Sequence, residues 1–176
     1  SISHADPAAE LPMLAIFYGA SIKIAGVNGP RTVPAEEFFI AALTNCLEAD
    51  EIVEEIEFPV LASSGWGFEE VARRFGDFAL ACIAVSIECR NGAIVSARVA
   101  AMGIDDTPRR LVAAENALIG GGRGADAAGR FVETVRGEVS PPSDQHASSD
   151  YRRSLIGSLA ERALADAWAR AAGERS

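Results

Sequence analysis

The stretch "FALACIAVSIECRNGAIVSARVAAMG", residues 78–103, decides the fold. Two long apolar runs rich in β-branched residues flank Arg90-Asn91-Gly92, and Asn-Gly between alternating hydrophobics is a strong hairpin signal. In the first run Ile83, Val85, Ile87 and Cys89 share one face; in the second Val95, Ala97 and Val99 share one, leaving Ser96 and Arg98 opposite. This pattern predicts a half-buried antiparallel sheet backed by helices.

The helices follow in order. Thr107 reads as a cap, Pro108 as a first-turn residue, and "RRLVAAENALIG" as a helix running to a glycine stop. "ADAAGRFVETVRG" predicts a second, weaker helix. After the loop "SPPSD", Tyr151, Leu155, Leu159 and Ala163 recur every four residues, with Ile156, Leu164 and Trp168 widening the stripe into a long amphipathic helix. Residues 61–176 therefore predict an α+β unit, a small antiparallel sheet packed by a helical layer.

Upstream, residues 8–17 read as a short helix with Asp6 as N-cap and Pro7 in its first turn, and with Pro12 set to kink or end it. Ile22 and Ile24 mark a strand, Asn28-Gly29 a turn, "RTVP" the returning strand, and "AEEFFIAAL" a short helix or turn. In "DEIVEEIEFP" alternation puts Ile52, Glu54, Ile56 and Phe58 on one side and Val53, Glu55 and Glu57 on the other, with Pro59 ending the strand. "VLASSGWG", 60–67, reads as a turn-forming stretch and a domain boundary.

Composition narrows the function. The chain has 176 residues, 49% hydrophobic and 23% charged, enough for one domain of ordinary size or two small ones. A net charge of −9 argues against a nucleic-acid binder, which needs a basic face. No apolar run approaches the roughly 18 residues of a membrane span, the first residues lack the basic-then-apolar layout of a secretion signal, and no internal repeat is evident. Cys46, Cys82 and Cys89 have no metal-like spacing. Buried thiols at 82 and 89 and a reducing, cytoplasmic compartment are the expectation.

Chemistry-bearing motifs are sparse. His4 and His146 are the two histidines, and neither has a nucleophile or second histidine at catalytic or metal spacing. "GGGRGA", 120–125, matches a glycine-rich dinucleotide pattern but follows a helix rather than a strand, so it reads as a loop. The acids of "DEIVEEIE" read as a solvated strand face, and Arg152, Arg153 and Arg162 as the charged outer face of the last helix or a subunit contact. From residue chemistry alone, no active site assembles.

Taken together, "SISHADPAAELP", "DEIVEEIEFP", "GWGFEEVARRFGDFALACIAV" and "HASSDYRRSLIGSLAERAL" resemble, in this order, the FAD-binding medium subunit of molybdenum hydroxylases, the aerobic carbon monoxide dehydrogenase and xanthine dehydrogenase family. The resemblance implies that residues 1–60 are the closing, incomplete part of an FAD-binding (PCMH-type) domain. Residues 61–176 would be a C-terminal antiparallel sheet packed against a helical bundle.

It further implies an oxidoreductase subunit whose FAD takes electrons from a molybdopterin-binding large subunit through a 2Fe–2S small subunit, in a cytoplasmic dimer of heterotrimers. The family's Thr-Ile-Gly-Gly segment, which holds the flavin pyrophosphate, would lie directly before Ser1, so weak or no FAD binding is expected of these residues alone. Ser1 would correspond to the end of that loop, with His4 and Asp6 beside it. Glu10 would match an acidic flavin contact and Val53 a backbone contact. Glu69 stands where xanthine dehydrogenase-like relatives carry lysine. Phe75, Asp77 or Phe78 would contact or gate the flavin ring. Read plainly, the same residues are a solvated helix acid at Glu10 and a buried strand residue at Val53. The alternative reading of the whole is a cofactor-free assembly module that docks partner subunits through its sheet and last helix. Substrate and electron acceptor stay open.

Overall fold

The computed structural model describes residues 1–63, 65–74 and 76–173. Helix α1 (Glu10–Tyr18) is followed by β1 (Ser21–Ala25), β2 (Arg31–Pro34), α2 (Ala35–Phe38), β3 (Phe39–Ala41), β4 (Thr44–Asn45) and β5 (Ile52–Glu57). Then come β6 (Gly65–Ala72), β7 (Ala79–Arg90), β8 (Ala93–Met102), β9 (Arg109–Arg110), α3 (Val112–Leu118), α4 (Ala125–Glu138) and α5 (Ser149–Ala171). All sheets are antiparallel: a three-stranded one in the order β2-β1-β5, the β3-β4 hairpin, and a four-stranded one in the order β6-β7-β8-β9. The α+β class is as the sequence implied. Among the described residues no helix is long and apolar enough to cross a membrane.

The β7-β8 hairpin forms where the Asn-Gly signal puts it, with Asn91 and Gly92 both at positive φ. Its sheet is covered on both faces, not half-buried. On one face Ala81, Ile83, Val85 and Ile87 meet Phe131, Val135, Ile156, Leu159 and Ala163 of the helical layer. On the other, Cys82, Ala84, Ala100 and Met102 meet Met13 and Phe17 of α1. A strand buried on both faces reads as a continuous apolar run, as 79–87 does. Each large side chain withdrawn there contributes roughly 1.5–3 kcal/mol. Cys82 is fully buried, which pushes its thiol pKa up; Cys89 is half-buried.

Two bulges change which residues face inward. In β8, Cys89 pairs with Ile94 and Glu88 with Ser96, so Val95 is the extra residue and stands 43% exposed while Ile94 takes the core position. In β5, Lys23 pairs with Glu55 and Ile24 with Val53, so Glu54 is extra. Val53 and Ile56 therefore pack on the first core and Ile52 is 67% exposed, against the simple alternation.

Strand β6 begins at Gly65, inside the 60–67 stretch that reads as a turn. Its glycines serve contact rather than turning: a Cβ on Gly67 would lie 2.6 Å from the carbonyl carbon of Ala163, and one on Gly65 would lie 2.7 Å from the nitrogen of Ala171. Backbone of α5 thus lies directly on the strand.

Helix boundaries also differ from expectation. Helix α1 has Ala9, not Asp6, at its N-cap, and Pro12 stands in its first turn, where a missing N–H costs nothing. Thr107-Pro108 starts no helix. The Arg109–Arg110 pair joins the sheet edge, Leu111 becomes the N-cap of α3, and the Glu138 carboxylate accepts from the amides of Ala113 (3.1 Å) and Ala114 (3.0 Å). Buried Glu115 binds the amide of Val99 and the guanidinium of Arg110, fixing α3 to the sheet. In α5 the buried stripe is Ile156, Leu159, Ala160, Ala163, Leu164 and Ala167; Tyr151 lies outside it and Arg152 inside.

Candidate functional site

Residues 1–9 fold into a tight, non-helical segment. Ile2, Ala5 and Ala9 are buried anchors, and Ala5 sits at φ 55°. Its amide donates to the carbonyl of Ile2 (3.1 Å) and its carbonyl accepts from Leu43 (3.0 Å). Asn45 donates to the Ser3 carbonyl at 2.6 Å, and Asp6 Oδ1 accepts from the amide of Ala8 at 2.8 Å. Gly103 donates to the Pro7 carbonyl at 3.0 Å. Only glycine suits position 103: φ is +71°, and a Cβ there would meet the Leu80 carbonyl oxygen at 2.7 Å. Side chains of Ser1 and His4 remain exposed on this segment.

The loop after β6 separates two clefts. One, of about 440 Å³, lies between Asp6, Pro7 and Ala8 on one side and Arg73, Asp77, Phe78, Asp144, His146 and Arg152 on the other. Arg152 is 5% exposed. It donates to the carbonyls of Leu80 (2.5 Å) and Gly103 (3.2 Å) and to Asp144 Oδ2 (2.7 Å), joining β7, the end of β8 and the 139–148 loop to α5. Burial raises the Asp144 pKa, but the amides of Ala147 and His146 and the Arg152 guanidinium outweigh it and hold the carboxyl at about 2. Phe78 is 63% exposed at the rim.

The second cleft, about 500 Å³ and more open, is lined by Glu10, Glu70, Ala72, Arg74, Gly76 and Asp77. Burial and the nearby Glu10 charge push the Glu70 pKa up.

Of the sequence candidates, the structure brings Asp6, Asp77 and Phe78 together in the first cleft and Glu10 and Asp77 in the second. Ser1 and His4 line neither. The Val53 side chain packs on the first core, leaving its backbone as the available group. Glu69 points to the α5 face of β6, 2.6 Å from Arg162. Phe75 lies outside the described residues.

Arg152 is not an outer-face residue, so a docking role for it is replaced by an internal one; Arg153 and Arg162 do reach the surface. Three of the five acids of the 50–57 stretch are taken by cations: Glu55 and Glu57 by Lys23, and Glu51 by Arg31 at 2.7 Å. The 120–125 loop edges an apolar groove of about 270 Å³ with Leu164 and Trp168. Sequence reasoning missed Glu70; strand alternation over 65–72 was the signal that separates it from Glu69.

Residues 66–167 match the family model for the CO dehydrogenase flavoprotein C-terminal domain, and residues 1–61 match the FAD binding domain in molybdopterin dehydrogenase. The chain is 34% identical to the glyceraldehyde dehydrogenase medium chain of Sulfolobus acidocaldarius, over 93% of this chain and 58% of that one. It is 37% identical to the caffeine dehydrogenase subunit beta of a Pseudomonas species, over 95% and 57%. Among solved structures it superposes on the carbon monoxide dehydrogenase of Hydrogenophaga pseudoflava with a TM-score of 0.90 at 35% identity, covering 96% of this chain and 59% of that one. It thus spans under three fifths of the length of these relatives. With both family models matched in order and the fold shared across nearly all of its residues, the chain belongs to the FAD-binding medium-subunit family of the molybdenum hydroxylases.

Proposed function

We propose that these residues are part of the FAD-binding medium subunit of a molybdopterin-dependent hydroxylase or dehydrogenase. In it FAD supplies the redox chemistry, passing electrons from iron–sulfur clusters to an acceptor. Its partners are a molybdopterin-binding large subunit and a 2Fe–2S small subunit, in a dimer of heterotrimers in the cytoplasm. The observation that carries this reading is the match of residues 1–61 to an FAD-binding domain, with Asp6 and Glu10 of that segment facing the two clefts.

The residues present suit one side of a flavin. Glu10 and Glu70 of the open cleft offer acceptor oxygens to a ring N–H, and the exposed Phe78 is an apolar rim on the neighbouring cleft. The amides of Ala5, Ala8 and Ala9 are bonded within the first segment and are not available to the flavin's pyrophosphate. Ser1, His4, Asp6, Glu10, the Val53 backbone, Asp77 and Phe78 are the flavin-side contacts of this reading. That relatives of similar identity are named for glyceraldehyde and for caffeine supports placing substrate choice on the molybdenum subunit.

The test is co-expression of the full-length subunit with its two partners. A yellow complex with one flavin per medium subunit is expected, and residues 1–176 alone should retain little FAD in a titration. A colourless full-length subunit within an assembled complex would sink the reading.

A further inference from the structure

The alternation of β6 divides its two adjacent acids. Gly65, Gly67 and Glu69 face α5, and Glu69 is held by Arg162. Phe68 packs on the α1 side, and Glu70, opposite Cys82 of β7, shares that face and lines the open cleft with Glu10. Among the described residues Glu70 makes no hydrogen bond or ion pair, although half-buried, and Glu10 makes none either. Arg74 and Asp77 line the same cleft from the loop; Arg74 pairs with neither glutamate. Among the described residues Cys82 also faces Glu70, sealed beneath it. Glu51, Glu115 and Asp144, by contrast, are each bound by an arginine.

We propose, on the strength of the flavin reading, that Glu70 and not Glu69 is the β6 carboxylate facing the flavin, and that with Glu10 it sets the flavin's reduction potential. Two-electron reduction with uptake of one proton leaves a negative charge on the ring. Unpaired carboxylates across the cleft oppose that charge and lower the potential. Glu69, neutralised by Arg162 on the far side of the sheet, has little leverage.

The experiment uses the assembled enzyme with Glu70→Gln, Glu10→Gln and Glu69→Gln. Flavin content is read by absorbance, and the flavin midpoint potential by dye-equilibrated titration. The expected result is the midpoint moved to more positive values in the flavin-loaded fraction of Glu70→Gln and Glu10→Gln, and both midpoint and flavin content unmoved in Glu69→Gln. The assignment is overturned if flavin is bound and Glu69→Gln shifts the midpoint as much as Glu70→Gln, or if neither Glu70→Gln nor Glu10→Gln shifts it. A wild-type complex without flavin overturns the underlying functional reading, and the assignment with it, so the two failures are distinct.

Discussion

Replacing Gly67 by alanine tests the claim that α5 rests backbone-to-backbone on β6. The added Cβ would lie 2.6 Å from the carbonyl carbon and 2.7 Å from the Cα of Ala163. Carbon atoms settle at about 3.5–4.0 Å, so strand and helix must part by roughly 1 Å. The obstacle is backbone in mid-helix, which cannot rotate away as a side chain would. Overpacking of this kind costs about 1–3 kcal/mol, and the upper end applies because parting also loosens Leu159, Ala163 and Ala167 from β7. The stiffer unfolded chain returns about 0.4–1 kcal/mol. A net loss of about 2 kcal/mol lowers the melting midpoint by roughly 4–8 °C for a chain of this size. Gly129→Ala is the control: it lies in the exposed middle of α4 with nothing within 4 Å of the new Cβ, and should gain about 0.5–1 kcal/mol. Scanning calorimetry of both variants decides it. A Gly67→Ala midpoint equal to wild type would refute the close-approach argument.

Arg152→Ala should cost about 3 kcal/mol in denaturant titration, because it strips charge-assisted bonds from two buried carbonyls and Asp144, whereas Arg153→Ala should cost under about 1 kcal/mol. Glu138→Ala removes the carboxylate that satisfies the first amides of α3 and should cost about 1 kcal/mol, with faster hydrogen exchange at Ala113 and Ala114. Asp144 is depressed in the folded state from 3.8 to about 2, so its contribution is complete above pH 4 and fades as pH falls through 2. Asp144→Ala should therefore flatten the acid limb of the stability curve and, at neutral pH, speed exchange at the His146 and Ala147 amides; unchanged protection there would count against the anchoring role. Glu51, held at about 2 chiefly by its hydrogen bond from Arg31, carries the same sign, and Glu51→Gln should weaken the pH dependence between 4.5 and 2.

The hairpin at 79–102 and the three helices after it were legible because their signals are local: a long apolar run, an Asn-Gly pair, a four-residue recurrence. What escaped depended on partners distant in sequence. Nothing near Gly65 and Gly67 announces that a helix a hundred residues later lies against them, and so the first residues of a strand read as a turn. Single-residue bulges at Glu54 and Val95 reversed the facing of short segments, since one extra residue flips a period of two. Arg152 read as surface charge because burying an arginine takes acceptors that only tertiary structure supplies, here the carbonyls of Leu80 and Gly103. The site candidates came from family likeness rather than chemistry. The structure sorts them by face, which no motif could do for two neighbouring glutamates.

That sorting shows how the sheet shapes the site. Helix α1 wedges Met13 and Phe17 against Cys82, Ala84 and Met102, which carries Glu10 to the edge of the same sheet face as Glu70. The following loop returns through Asp77, which lines both clefts, and is closed at its far end by Ala79 and Leu80, where Arg152 grips the strand. Gly103, next to the same guanidinium, holds Pro7 and so the segment bearing Asp6. Both walls of the first cleft therefore hang from one buried arginine, while the carboxylates of the second are placed by strand register. A change at Arg152 should disturb the Asp6 side and leave the Glu10–Glu70 pair in place, because that pair depends on α1 packing and β6 pairing alone.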